Sequence, residues 1–139
     1  MTRPLVLLLL SSALLAGCDG TPPWVSRCPA PLEPMVRGEL ILGRNIGATE
    51  AVSDEDLREF FDREVTTRFP DGFTVQDGSG QWRDTVAASI VRERAKVLII
   101  VMRNDGDGRR RLQAVAQAYK TRFKQQSVLM VMTPTCAAF

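Results

Sequence analysis

Two short strings carry the side chains best suited to chemistry, Gln81-Trp82-Arg83 and Arg92-Glu93-Arg94. Paired across a hairpin, they would set a flat indole beside charged groups. Trp82 would then offer a binding face, and Gln81, Arg83, Arg92 and Glu93 would fix a polar ligand. In an enzyme the same set supplies a general base, Glu93, and an oxyanion partner, Arg83 or Arg92. The plainer alternative is an arm folded over the sheet, with Trp82 filling the core and a cross-strand Arg–Glu ion pair.

A second constellation is Arg109-Arg110-Arg111 after Asp105-Gly106-Asp107-Gly108. Arginines at a helix start oppose the helix dipole, while free backbone N–H groups there attract anions. They are candidates for gripping phosphate or lipid head groups; the competing reading is a solvated turn neutralised by its own aspartates. Asp77-Gly78-Ser79-Gly80 looks like a phosphate loop but lacks the lysine and the following helix. Asp54, Glu55 and Asp56 are explained by a capped helix start without catalysis.

The chain has no histidine, which removes Ser-His-Asp triads, Cys-His dyads and histidine-ligated zinc. Its formal charge of +2 argues against nucleic acid, which requires a strongly basic face. No cofactor and no metal are expected.

The N-terminus states where the protein works. Arg3 precedes an apolar run from Leu5 to Ala16, too short for a permanent span of about 20 residues. Leu15-Ala16-Gly17-Cys18 resembles the lipobox of bacterial lipoproteins, in which the cysteine is acylated and becomes the first mature residue. The alternatives are an ordinary cleaved signal and a retained anchor. Residues 1–17 are read as signal peptide, with a lipid bilayer as partner through Cys18. The expected location is the cell envelope, facing the periplasm. Asp19 resembles the signal that keeps such proteins on the inner membrane of enteric bacteria.

With Cys18 acylated, Cys28 and Cys136 form an even pair in an oxidising compartment, and a disulfide is expected. Two free thiols are the alternative. Residues 18–36, rich in proline, read as a tether, and residues 37–139 as one domain.

The elements follow from pattern. Gly38–Arg44 is the first strand candidate. Ser53 caps a helix with Leu57, Phe60, Phe61 and Val65 at helical spacing, ended by Phe69-Pro70-Asp71-Gly72. Residues 73–76 read as a strand interrupted by Asp77-Gly78-Ser79-Gly80, with a bulge or kink before Gln81–Arg83 resumes. The tip falls at 84–89, and Ile90–Glu93 returns. Val97–Met102 is the central strand, and 104–108 a loop. A second helix shows Leu112, Val115, Ala116, Tyr119 and Phe123 on one face. Ser127–Met132 is the last strand, closed by Pro134. This order is the split βαβ pattern of ferredoxin-like α+β folds: β-α-β-β-α-β, one antiparallel sheet with two helices on one face. First and last strands are then neighbours, which brings Cys28 and Cys136 to one end.

Several strings now stand in order: Val52-Ser53-Asp54, Arg68-Phe69-Pro70-Asp71-Gly72, Thr74-Val75, Gly80-Gln81-Trp82, Arg92-Glu93, Tyr119-Lys120 and Ser127-Val128-Leu129. Together they resemble a bacterial family of small secreted proteins and lipoproteins, domain-of-unknown-function family 3574. Leu57 stands where such proteins often carry an aromatic, and Gln126 where an acid is expected. The resemblance implies an architecture and no established reaction. The leading expectation is a non-enzymatic module of the envelope that binds a small ligand or an envelope protein. The alternative is a small ferredoxin-like enzyme with a Glu/Arg pocket on a sheet, with a homodimer as one form.

Overall fold

The computed structural model describes residues 28–46, 49–84 and 88–139. Cys18 and the signal segment lie outside them. Strand β1 spans Glu33–Gly43, and a small ribbon, β2 (Asn45–Ile46) with β3 (Thr49–Glu50), follows it. Helix α1 covers Asp54–Phe60, β4 Thr74–Asp84, β5 Ser89–Arg103, α2 Gly106–Arg122 and β6 Leu129–Ala137. The four long strands form one antiparallel sheet in the order β4-β5-β1-β6. The fold is α+β and ferredoxin-like, as the element order requires.

Side chains alternate between the two faces of a strand, and here they alternate in chemistry. Val36, Leu40 and Leu42 of β1 and Leu98, Ile100 and Met102 of β5 point to one face. They are buried there with Leu57, Phe60 and Val65 from the first helical segment and Leu112, Val115 and Tyr119 from α2. Both helices therefore cover the same side. Phe60 is the hub, its ring 5.1 Å from Tyr119 and 5.8 Å from Phe123 in edge-to-face contact. Leu57 is fully buried in this cluster.

Caps fix where the helices begin. Ser53 Oγ accepts from the Asp56 N–H at 3.1 Å, and the Asp56 carboxylate accepts from the Ser53 N–H at 3.0 Å. These reciprocal bonds form a capping box; the Ser53 hydroxyl, donating to the Asp56 carboxylate at 2.5 Å, and then the Ser53 N–H hold that carboxyl below its usual range. Asp105 caps α2 by accepting from the Gly108 N–H at 2.9 Å, which lowers its own pKa likewise. The helix therefore starts inside the stretch read as a 104–108 loop. After Phe60 the first helix widens into a π turn over Phe61–Val65, closed by Thr66 N–H donating to Phe61 O at 2.9 Å. The widening lets Phe61 turn to Phe73, 5.9 Å away, while Phe60 enters the core. Gly72 ends the segment with φ +115°, a left-handed conformation that glycine alone takes without strain.

Three strand boundaries differ from the sequence reading. β1 begins at Glu33, within the proline-rich stretch, because β6 pairs it from Glu33↔Ala137 onward. β4 runs through Gly78 and Gly80 without a bulge, in unbroken register with β5 from Thr74↔Ile99 to Asp84↔Ser89. The long β5 supplies a partner at every residue, so the glycines do not interrupt pairing. β6 continues past Pro134, which pairs with Val36, because an edge strand tolerates a missing N–H. Cys28 and Cys136 are joined by a disulfide, S–S 2.03 Å, at the end where β1 starts and β6 finishes. Among the described residues no helix is long and apolar enough to cross a membrane.

Candidate functional site

β4 and β5 extend beyond the end of β1, since Gly43 pairs with Ala95 and the hairpin continues to Ser89. Gly80 stands opposite Glu93, and Trp82 opposite Val91. By the pleat these four belong with Gly43, Ala95 and Ile41 on the face turned away from the helices. There Gly80, Trp82 and Glu93 line a groove of about 410 Å³, bounded on the far side by Lys124, Gln125, Gln126, Ser127 and Leu129 beyond α2. Gly43, Gly80 and Ala95 make a low floor. Trp82 stands outside the buried core with 38% of its surface exposed.

Glu93 is half-buried, and its Oε2 accepts from the Asn45 N–H at 3.3 Å. It makes no ion pair within 4 Å with a described residue, so the cross-strand Arg–Glu pair does not form. Gly43 makes its place: a Cβ there would lie 2.6 Å from Glu93 Oε2. The same Gly43 backbone is held from the helix side, where the Tyr119 hydroxyl donates to its carbonyl at 2.8 Å. Burial, with a contribution from Glu93, pushes the Tyr119 hydroxyl well above the ordinary tyrosine range, while Arg44 pulls the other way. Arg44 is the one cation buried among the described residues. Its Nε donates to Val52 O at 2.8 Å, and its guanidinium lies 3.0 Å from Asp54 and 3.3 Å from Glu50. These contacts tie the end of β1 to the start of α1 and so fix Asn45. Gln125 Nε2 donates to Asn45 O at 2.7 Å and closes the far side.

The sequence candidates divide between two faces. Trp82 and Glu93 share the groove. Gln81 pairs with Arg92 and Arg83 with Ile90, so Gln81, Arg83 and Arg92 alternate to the opposite side of the pleat, while Gln81 still lines the rim of the groove. That correction follows from the period of two: neighbours in the string cannot all face one ligand. Arg92, Arg94, Glu50 and Ser79 line an adjoining hollow of about 580 Å³, which shares Asn45, Gly80, Gln81 and Glu93 with the groove, so Glu93 stands between the two. Gly43, Asn45, Ala95 and Gln125 were not among the candidates. They come from three distant segments, and no local pattern joins them.

The three arginines do not converge. Arg110 and Arg111 both pair with Asp107, at 3.2 and 3.0 Å. Arg111 also donates to Arg68 O at 2.7 Å and stacks 5.1 Å over Phe69, which makes it a clamp on the Phe-Pro-Asp-Gly turn. Arg109 is exposed.

Residues 37–139 match the family described as protein of unknown function, DUF3574. The chain belongs to that family. Its Phe-Pro-Asp-Gly string is the turn that ends the first helical segment, and its Gly-Gln-Trp string is the hairpin wall of the groove. No curated protein matches the chain. Among solved structures it is similar to a phage SAM lyase in complex with S-methyl-5'-thioadenosine. That pair is 16% identical with a TM-score of 0.62, covering 76% of this chain and 90% of that one. The apo form of a phage SAM lyase gives 17%, 0.61, 73% and 81%. CutA from Synechococcus elongatus, complexed with Bis-Tris, gives 9%, 0.50, 77% and 87%. At these identities the likeness is one of fold.

Proposed function

We propose that this chain is a lipid-anchored protein of the bacterial envelope whose domain binds a small organic cation, without turnover, in the Trp82–Glu93 groove. One observation carries the reading: an exposed indole and a carboxylate with no ion-pair partner among the described residues face one groove over a floor of glycine and alanine. A carboxylate left unpaired favours a positive ligand, and an aromatic face adds attraction for a cation or a flat ring. The low floor admits the ligand to the backbone. Two features of the chain support the envelope: the Leu15-Ala16-Gly17-Cys18 string and a disulfide, which persists in oxidising compartments.

Binding is tested by Trp82 fluorescence in a Trp24→Phe background, titrated with small organic cations, SAM among them. The expected result is a saturable change that Glu93→Gln abolishes while the melting temperature holds. A response that survives Glu93→Gln removes the reading. The anchor is tested separately by labelled palmitate, whose incorporation should end with Cys18→Ser.

A second reading, catalysis, draws on the same carboxylate and on the fold shared with phage SAM lyase. Arg83 and Arg92 alternate away from the groove, so an oxyanion partner for Glu93 would have to come from the adjoining hollow that Glu93 shares with Arg92, or from Lys124 at the groove. Release of S-methyl-5'-thioadenosine from SAM, lost in Glu93→Gln, would favour this reading. SAM bound and recovered unchanged favours the first.

A further inference from the structure

The sheet face opposite the helices is apolar where water normally meets polar residues. Ile41, Val97 and Ile99 lie at its centre, half-buried, and on the adjoining edge strand Leu129 and Val131 are 61% and 38% exposed. These positions share a face by register, since Leu129 pairs with Ile41 and Ile41 with Val97. By register Glu39 lies between Ile99 and Val131, and Arg37 neutralises it at 2.8 Å; Glu93 and Lys124 stand farther along, at the groove. An apolar centre with a polar margin is the anatomy of a protein interface.

We propose that a second copy of this chain packs its own open face on this one and roofs the Trp82–Glu93 groove. Area is the first argument. Four strands about 4.8 Å apart, each contributing about six residues at about 3.3 Å per residue, give a face of about 20 by 20 Å. The projecting arm of β4 and β5 brings this to about 500 Å² per copy. Two copies then bury about 1,000 Å², the threshold for a specific interface. Continuity is the second argument. Ile41 and Leu129 belong both to the patch and to the groove lining, so a body seated on the patch also covers the groove. The interface does not depend on the cation; its role as a roof rests on the binding reading above.

The experiment is sedimentation equilibrium of the intact chain in non-ionic detergent. The expected mass is that of two copies. Val131→Glu and Val97→Glu should each yield monomers with unchanged circular dichroism. Val97 lies on an interior strand, so its effect separates face packing from edge pairing along β6. Should Val97→Glu fail to fold, Leu129→Lys, at the most exposed of these positions, should weaken association at least tenfold. A wild-type monomer at about 100 µM, or a dimer untouched by folded Val97→Glu or by Leu129→Lys, overturns the proposal. A dimer whose cation response survives Glu93→Gln keeps the interface and removes the binding reading. A monomer that binds cations through Glu93 does the reverse.

Discussion

The two faces of the sheet are built from the same strands to opposite ends. On the covered face Phe60, Tyr119 and Phe123 interlock, with Tyr119 and Phe123 4.8 Å apart, and the aliphatic positions are almost fully buried. The open face buries Met35 and Val91, leaves Ile41, Val97 and Ile99 half-covered, and concentrates its small residues where Glu93 lies. Stability therefore resides mainly on one side, and contact with other molecules is left to the other. Because successive residues of a strand serve different faces, one stretch of sequence encodes both tasks at alternate positions.

The sharpest way to break this contrast is truncation on each side. Phe60→Ala should cost about 4 kcal/mol in urea unfolding, by losing transfer energy and leaving a cavity. Leu129→Ala, at concentrations too low for association, should change stability by less than about 0.5 kcal/mol. Equal costs would mean that the open face is not spare surface.

Two glycines of β1 give a finer test. Gly38 faces the core, where a Cβ would meet Met102 Cε at 2.4 Å and Leu112 Cδ2 at 2.6 Å. Gly38→Ala should cost about 1–3 kcal/mol by overpacking. The clash at Gly43 is with the free end of Glu93, which can swing away. Gly43→Ala should therefore cost less than about 1 kcal/mol and weaken the cation response of Trp82.

Tyr119 is the only tyrosine in the chain, so absorbance at 295 nm reads it alone. Its raised pKa in the fold means that the native state keeps the proton after the unfolded chain has lost it, near pH 10. Stability from this group is complete below that pH and lost as pH rises towards the folded value. Native titration should lie above the titration in denaturant, and Tyr119→Phe should flatten the alkaline loss while costing about 1 kcal/mol for the bond to Gly43.

The smallest effect is at acid pH. Asp56 and Asp105 are held below their usual range by the bonds that cap the two helices. Their contribution is complete above about pH 4 and disappears as pH falls through the folded values. Thermal scans from pH 5 to pH 2 should show a modest fall in Tm that Asp105→Asn reduces.

Much of this architecture was legible because it is local. Ser53 declared a helix start through its own hydroxyl, and the spacing of Leu112, Val115 and Tyr119 declared a buried face. What escaped depends on partners far along the chain. Gly78 and Gly80 read as a break because nothing nearby shows that β5 runs beside them. Pro134 read as a stop because its tolerance depends on β6 being an edge. At the groove, Trp82 and Glu93 stood out by residue type, whereas Gly43 and Ala95 carry no signal except emptiness. Arg83 and Arg92 were drawn in by proximity in the string, and the pleat separates them.

The sulfur bridge at the base has a mechanical consequence. Cys28 precedes β1, and Cys136 lies in β6, its neighbour in the sheet. Tension applied to the chain ahead of Cys28 is thus shared covalently by both strands, which move as one unit, and the ladder between them carries little load. With the opposing hold on β4 or β5, the force falls instead on the β1–β5 seam, along the strand axes. Yielding there requires many backbone bonds to shear together instead of peeling one after another.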